Sequence, residues 1–136
     1  MRRIVLISLS LGVVTILANA AGSLATAASS GKEMAVVDIP DKTKLLKATL
    51  QGKYIFVHDN EMMKQGAACL YVYEYGEDVT GKPELKSDKL VLSFHCEPVQ
   101  REKATNIILT YGMTTAGWFE LREIQFAGST EGHRVP

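Results

Sequence analysis

Apolar residues recur along this chain in short runs of strand length, and glycine, proline, asparagine and aspartate separate the runs. The strongest run is 54–58, Tyr-Ile-Phe-Val-His, in which neither face is polar. A strand of this kind is covered on both sides, at the centre of a sheet or inside a sandwich. Further runs lie at 34–39, 69–75, 89–96, 104–111 and 118–126. The pattern predicts a mainly β fold, a small antiparallel sandwich or barrel of about five to seven strands.

Two local signals add detail to this prediction. Asp59 before the segment 61–65, with Gly66 after it, is typical of one short capped helical turn. In the last run the apolar side chains change face midway, and a β-bulge near 122–123 would bring them all onto the core. These side chains are Phe119, Leu121, Ile124 and Phe126.

Three other segments are interpreted from glycine, proline and polar residues alone. We expect 34–39 to be a short edge strand that Pro40 ends, because proline cannot continue a hydrogen-bonded ladder. We expect Gln51 and Gly52 to turn a hairpin with the segment before them. The segment 128–136 is predicted to be a polar tail.

The N-terminus carries the pattern of an export signal. Arg2 and Arg3 form a positive region, and 4–17 is apolar and uncharged. The segment 18–20, Ala-Asn-Ala, fits a signal-peptidase site, and 25–27, Ala-Thr-Ala, is a second candidate. The pattern predicts Sec-type export to the periplasm or out of the cell. The alternative is a membrane anchor, but the apolar run is shorter than the ~20 residues that a spanning helix needs.

The predicted organisation is a signal peptide at 1–20, with cleavage as late as residue 27, a flexible leader at 21–33 and one β-rich domain at 34–136. The whole chain has 15 basic and 15 acidic residues. Loss of Arg2 and Arg3 with the signal leaves 13 basic residues against 15 acidic ones, a net charge of −2. A mildly acidic chain without a basic stripe argues against a nucleic-acid partner. No stable membrane span is expected after signal cleavage.

Cys69 and Cys96 are the two cysteines, and in an exported chain they are first interpreted as one disulfide. If they oppose each other in an antiparallel pair, Tyr71 faces Phe94 and an aromatic–aliphatic stripe lies on the cysteine face. A bridge that closes this loop of about 28 residues stabilises the fold by about 3–4 kcal/mol in the chain-entropy model. Metal or haem ligation and redox chemistry are the alternatives, although the sequence has no C-x-x-C motif.

His58 ends the strongest strand and is followed at once by acidic residues. Together with Asp59 and Glu61 it could bind a divalent ion, and Met62 or Met63 could add a soft ligand for copper. The alternative is a strand-end histidine bonded to the backbone, with Asp59 capping the helical turn.

His95 and His133 are the other two histidines. His95 and Cys96 are neighbours in a strand and point to opposite faces, so they do not easily bind one metal. Ser93 shares a face with His95 and resembles a nucleophile–base pair, but no orienting acid and no G-x-S-x-G elbow accompany it. His133 lies in the predicted tail and could swing onto a site.

Three stretches of the chain resemble a set of small exported bacterial proteins of uncharacterised function. The stretches are 56–59 (Phe-Val-His-Asp) running to Gly66 and Cys69, 94–98 (Phe-His-Cys-Glu-Pro), and 125–128 (Gln-Phe-Ala-Gly) running to Glu131, His133, Val135 and Pro136. The resemblance covers most of the predicted mature chain. It implies a single exported domain with its two cysteines paired, and it implies no activity.

No catalytic constellation accompanies these structural patterns. The sequence therefore favours an exported, non-enzymatic β-domain, a structural or binding module for a protein, an envelope component or a small ligand. It predicts no cofactor. The alternative is a protein that binds a divalent metal or haem through His58 with His95 or His133, with Asp59 as a further metal ligand. A hydrolase that uses Ser93 and His95 is the third hypothesis.

Overall fold

The two longest strands form one hairpin at the start of the described chain. The computed structural model describes residues 31–136, and the predicted signal peptide lies outside them. Strand β1 (Lys32–Leu45) pairs antiparallel with β2 (Ala48–Asp59). β1 begins inside the predicted leader rather than after it, because Lys32 already pairs with Asp59 at the far end of β2.

Six shorter strands and two helical turns complete the regular structure of the described residues. They are α1 (Asn60–Lys64), β3 (Leu70–Glu74), a 3-10 turn (Ser87–Lys89), β4 (Leu90–Phe94), β5 (Glu97–Gln100), β6 (Ile108–Met113), β7 (Phe119–Gln125) and β8 (Glu131–Arg134). No helix in the part of the chain that the structure describes is long and apolar enough to cross a membrane. The fold is mainly β with one short α-helical turn, as predicted, although eight strands are present.

All eight strands belong to one curled sheet. The hydrogen-bonded order is β4-β3-β2-β1-β7-β8-β5, and β6 pairs with β7 off this path. The pairing is antiparallel except between β1 and β7, which run parallel where Thr43 and Lys44 oppose the start of β7. Because the sheet curls, strands from its two halves bury their inner faces against each other.

The centre of the core is supplied by the end of β2. Ile55, Phe56, Val57 and His58 are all buried, although successive side chains of a strand point to opposite faces. Both faces of this part of β2 are therefore covered, as the sequence predicts. Burial of each apolar side chain of this size contributes about 1.5–3 kcal/mol. Of these four residues, Phe56 belongs to the main apolar cluster, which also includes Val37, Ile39, Leu45, Leu50, Val72, Phe94, Leu121 and Ile124.

The turn between β1 and β2 lies at 46–47, and the prediction of a turn at 51–52 is wrong. Leu46 adopts a φ of 53° within the turn, in the left-handed region that residues other than glycine rarely occupy. Gly52 instead opposes Ile39 inside the hairpin, with a φ of 101°. It lies beside an irregularity in the strand pairing, which is a usual place for glycine in a strand.

β1 continues through Pro40, where the sequence predicts that the strand ends. The pairing of β1 with β2 is irregular between Ile39 and Thr43, and Pro40 lies in this interruption. A residue at such a position need not donate a ladder hydrogen bond, so proline is tolerated there. The interruption shifts the register of the hairpin, and it thereby decides which residue of β1 opposes His58.

The predicted bulge in β7 is confirmed at Arg122. This residue is extra in the pairing with β6, whose register shifts between Thr110 and Tyr111. The bulge brings apolar side chains before and after it onto the core. Those that become buried are Leu121, Ile124 and Phe126. Phe119 stays 43% exposed at the start of the strand.

A disulfide joins Cys69 and Cys96, as predicted. The two cysteines lie just before β3 and just after β4, and their Cα atoms are 6.3 Å apart. The backbone N–H of Cys96 donates to Sγ of Cys69 over 2.9 Å. Cys69 is 1% exposed, whereas Cys96 is half-buried.

The register of the β3–β4 hairpin differs by one residue from the predicted one. Tyr71 opposes Ser93, and Leu70 takes the position opposite Phe94. Leu70 and Val72 are fully buried, while Tyr71 and Tyr73 are half-buried. The face that carries Leu70 and Val72 packs against the core, because a fully buried tyrosine hydroxyl would need a hydrogen-bond partner there.

The segment predicted to be a polar tail contains strand β8, and this strand is flanked on both sides. β8 pairs with β5 over its whole length and with β7 at 123–125. Gly132 and His133 are buried within it. The four residues Glu131–Arg134 show no apolar alternation, so a hydrophobic pattern gives no signal for this strand.

Gly132 of β8 lies beneath an ion pair that spans β8, from Arg101 just after β5 to Glu123 of β7. Arg101 donates from Nε and from one terminal nitrogen to the two carboxylate oxygens of Glu123, each over 2.7 Å. A Cβ atom at position 132 would collide with the Glu123 carboxylate and would lie 3.2 Å from Cγ of Arg101. Glu123 is 8% exposed and has little room to move aside.

We predict that Gly132→Ala destabilises the protein by about 1–3 kcal/mol, because the added methyl group forces the ion pair apart. Gly76→Ala is the matched control, since a Cβ atom there meets nothing within 4 Å. Urea unfolding of both variants measures the effect, and equal midpoints for the two would contradict the packing of β8 described above.

Candidate metal centre

Three strands bring two histidines and a carboxylate together at one end of the curled sheet. Glu33 near the start of β1 and His58 near the end of β2 are directly opposed in the hairpin. His133 comes from β8, where it opposes Ile124 of β7. The curl of the sheet places the His133 ring against the His58 ring, with centroids 3.8 Å apart and planes tilted by 31°. We call Glu33, His58 and His133 the histidine–glutamate cluster.

The carboxylate of Glu33 contacts both rings of this cluster. Oε2 of Glu33 lies 3.2 Å from Nδ1 of His58, within hydrogen-bond distance, and 3.7 Å from Nε2 of His133. Nδ1 of His133 lies 3.7 Å from the carboxylate of Glu131, which is at the more exposed edge of the cluster. The histidines are 1% and 0% exposed, so the cluster opens to solvent mainly through Glu33.

Glu33 is held in its ionised form. The His133 and His58 imidazoles, in that order of size, lower the pKa of its carboxyl from 4.5 to about 2, and partial burial opposes them. The Phe126 ring stands 5.8 Å from His133 and 6.3 Å from His58 and forms an apolar wall. An anion in such surroundings interacts strongly with any positive charge that is placed beside it.

Both histidines have a buried nitrogen without a hydrogen-bond partner, namely Nε2 of His58 and Nε2 of His133. If neutral His58 donates from Nδ1 to Glu33, its Nε2 presents a lone pair to the interior. Buried polar atoms are nearly always satisfied in folded proteins, and leaving one unsatisfied costs about 1–3 kcal/mol. Both Nε2 atoms could therefore act as ligands of a metal ion.

The disulfide borders this cluster. Sγ of Cys96 lies 3.6 Å from Nδ1 of His133. One ligand atom from each of His58, Cys69 and Cys96 lies within 4.8 Å of the other two. Donor atoms of Glu33, His58 and His133 satisfy the same distance limit among themselves. Two overlapping sets of metal-ligating atoms thus share His58.

The structure brings together only part of the residue set that the sequence suggests for a metal. His58 and His133 meet, whereas His95 is exposed beyond β4 and makes no side-chain hydrogen bond or ion pair among the described residues. The carboxylate of Asp59 accepts hydrogen bonds from the backbone N–H groups of Glu61 and Met62, so it caps α1. This is the role that the sequence gives Asp59 as the alternative to metal binding.

Glu33 is the residue of this cluster that the sequence did not suggest. It falls within the predicted leader, and no motif distinguishes it. The signal that identifies it is its position opposite His58 in the hairpin, which depends on the turn and on the pairing irregularity.

The serine–histidine pair proposed for hydrolysis lies elsewhere and forms no hydrogen bond among the described residues. Ser93 and His95 are both exposed. Ser93 borders an open groove of about 620 Å³ between the β1–β2 turn and β4. The groove is lined by Leu46, Lys47, Ala48, Val91, Leu92 and Ser93, none of which is acidic.

Comparison with known proteins identifies no relative: no family model, no curated protein and no solved structure matches the chain.

We predict that the metal-free protein loses stability on acidification partly through Glu33. Because the folded-state pKa of Glu33 is depressed, its stabilisation is present above pH 4.5 and is lost as the pH falls towards about 2. Glu33→Gln should lower the free energy of unfolding by about 1–2 kcal/mol above that window, a value reduced by solvent screening at the open edge. The difference from wild type should shrink within the window.

Urea unfolding at a series of pH values measures this difference. Glu61→Gln is the control, since the Glu61 side chain is 63% exposed and pairs only with Lys64 on α1. A difference between wild type and Glu33→Gln that stays constant through the window would show that the carboxylate is not held by the two histidines.

Proposed function

We propose that this protein is an extracytoplasmic metal-binding β-domain that holds one divalent transition-metal ion through His58, His133 and Glu33. The observation that carries the proposal is that both buried histidines contact the ionised Glu33 carboxylate, while each keeps an Nε2 atom without a hydrogen-bond partner. The domain is then a binding module, as the sequence favours, and its ligand is the metal alternative that the sequence left open.

The donor types favour a borderline transition metal. Two neutral imidazoles and one carboxylate form a ligand set that binds Zn²⁺, and the same set with open positions suits Fe²⁺. Donor atoms around a tetrahedral Zn²⁺ are about 3.4 Å apart, given metal–ligand distances near 2.0–2.1 Å. The donors here lie within 4.8 Å of one another, so small side-chain rotations bring them to that spacing.

The burial of the cluster favours a role in metal binding over a role in catalysis. The two histidines are 1% and 0% exposed, and the disulfide and the Phe126 ring stand beside them. Such an arrangement leaves little room for a substrate next to the ion. The open groove lies at the β1–β2 turn and β4, where it is lined by none of the three ligands.

The disulfide supports a location outside the cytoplasm, because such bonds persist in oxidising compartments. The N-terminal export pattern and the resemblance to small exported bacterial proteins agree with that location. In the proposed function, the domain encounters its metal in the periplasm or outside the cell.

We predict that protein purified after export and stripped of metal binds one equivalent of Zn²⁺. His58→Gln and His133→Gln should each weaken binding by roughly 100-fold, because even the loss of a residue that only supports a ligand costs 10–100-fold. His95→Gln is the matched control, an exposed histidine in the same chain, and should bind like wild type. Competition with a chromophoric chelator measures the affinities.

Elemental analysis of untreated exported protein should show which metal it carries. Zn²⁺ at 100 times its dissociation constant should also stabilise the fold by about 2.7 kcal/mol. Equal affinity in all four proteins, or binding lost only in His95→Gln, would show that the cluster is a buried ion pair with a structural role.

A further inference from the structure

The sulfur atoms of the disulfide lie close to the two histidines of the histidine–glutamate cluster. Sγ of Cys96 lies 3.6 Å from Nδ1 of His133, and both sulfurs lie within 4.8 Å of a ring nitrogen of His58. Closing a loop does not require two imidazoles next to the disulfide. In this structure each sulfur has a buried histidine within reach.

We propose that Cys69 and Cys96 are a second, redox-controlled ligand pair of the centre. In the oxidised protein the metal is held by Glu33 and the two histidines, and this inference rests on that proposed function. Reduction of the disulfide converts the centre into a Cys2His2 site for a thiophilic ion, Zn²⁺ or Cu⁺. Tetrahedral sites with two thiolates and two imidazoles are typical of Zn²⁺, and thiolates also favour Cu⁺.

The reduction is an exchange with a dithiol. A thiolate of the donor dithiol attacks Sγ of Cys96, the half-buried sulfur, and the sulfur of Cys69 leaves with the electron pair of the broken bond. The second thiol of the donor then attacks the mixed disulfide and releases Cys96. The donor becomes a disulfide, the protein gains two electrons and two protons, and metal binding displaces those protons from the thiols.

One backbone N–H group favours an anionic sulfur at Cys69, although the carbonyl oxygen of Phe94 lies 3.6 Å from the same sulfur. The N–H of Cys96 already donates to Sγ of Cys69 over 2.9 Å. A hydrogen bond to a thiolate stabilises its charge, both when it leaves and when it binds a metal. Two thiolates side by side would repel each other unless a cation lies between them. The reduced centre therefore binds its metal more tightly than the oxidised one.

Cobalt(II) titration of exported, metal-stripped protein tests this inference, with the oxidised form compared with a form reduced by a phosphine in the absence of oxygen. We expect a thiolate-to-cobalt charge-transfer band only in the reduced protein. Competition should show Zn²⁺ bound at least tenfold more tightly after reduction. Glu33→Gln should weaken binding to the oxidised protein and leave binding to the reduced protein unchanged.

The double variant Cys69→Ala/Cys96→Ala is the control, because it removes both the bond and the thiolates. It should gain neither the band nor the tenfold affinity under reducing conditions. Circular dichroism follows the fold throughout. If the reduced protein unfolds without metal, recovery of its β signal on addition of Zn²⁺ supports the inference, since metal binding then drives folding.

The outcomes separate this inference from the proposed function. Binding to the oxidised protein, with no band and no gain on reduction or with no recovery of the fold by Zn²⁺, overturns the inference and leaves the proposed function standing. Binding to the reduced protein alone overturns the Glu33 site and supports the thiolate site. Binding to neither form overturns both.

Discussion

The end of β2 is buried on both faces, and this requirement determines which strands must cover it. Ile55, Phe56 and Val57 satisfy it with apolar side chains, but His58 carries a polar ring into the same environment. A buried imidazole requires partners, and they come from opposite ends of the chain. Glu33 of β1 approaches from the neighbouring strand, and His133 of β8 approaches across the curled sheet.

These partners satisfy His58 only in part. Nδ1 of His58 contacts the carboxylate of Glu33, while Nε2 has no hydrogen-bond partner, and the same is true of Nε2 in His133. The carboxylate carries a full negative charge in a partly apolar setting. In the proposed function, a metal ion accepts a lone pair from each ring and neutralises the anion.

The pattern of apolar and polar residues predicts those features of the fold that neighbouring residues determine. The apolar run at 54–58, the cap at Asp59 and the bulge at Arg122 are visible because each follows from neighbouring residues. The pairing of Cys69 with Cys96 also follows from the sequence, although the strands between them are shifted by one residue because the core accepts Leu70 and Val72 rather than tyrosines.

The site depends on long-range pairing, which the sequence does not display. Extending the pairing at the β1–β2 turn without interruption would place Ala35 opposite His58. The irregularity between Ile39 and Thr43 moves the register by two residues and places Glu33 there instead. The position of His133 is not visible in the sequence for another reason. Glu131–Arg134 is a strand without apolar alternation, and its pairing with β5 and β7 holds it in the sheet.

Nitrogen NMR of the histidine side chains in the oxidised protein, recorded before and after one equivalent of Zn²⁺, tests whether His58 and His133 bind the metal. It reports on each ring nitrogen separately, and the chain holds three histidines. We predict that one nitrogen each of His58 and His133 moves to the chemical shift of a metal-bound imidazole. Both nitrogens of the exposed His95 should stay unchanged. A change at His95 alone, or no change at any of the three rings, would contradict this prediction.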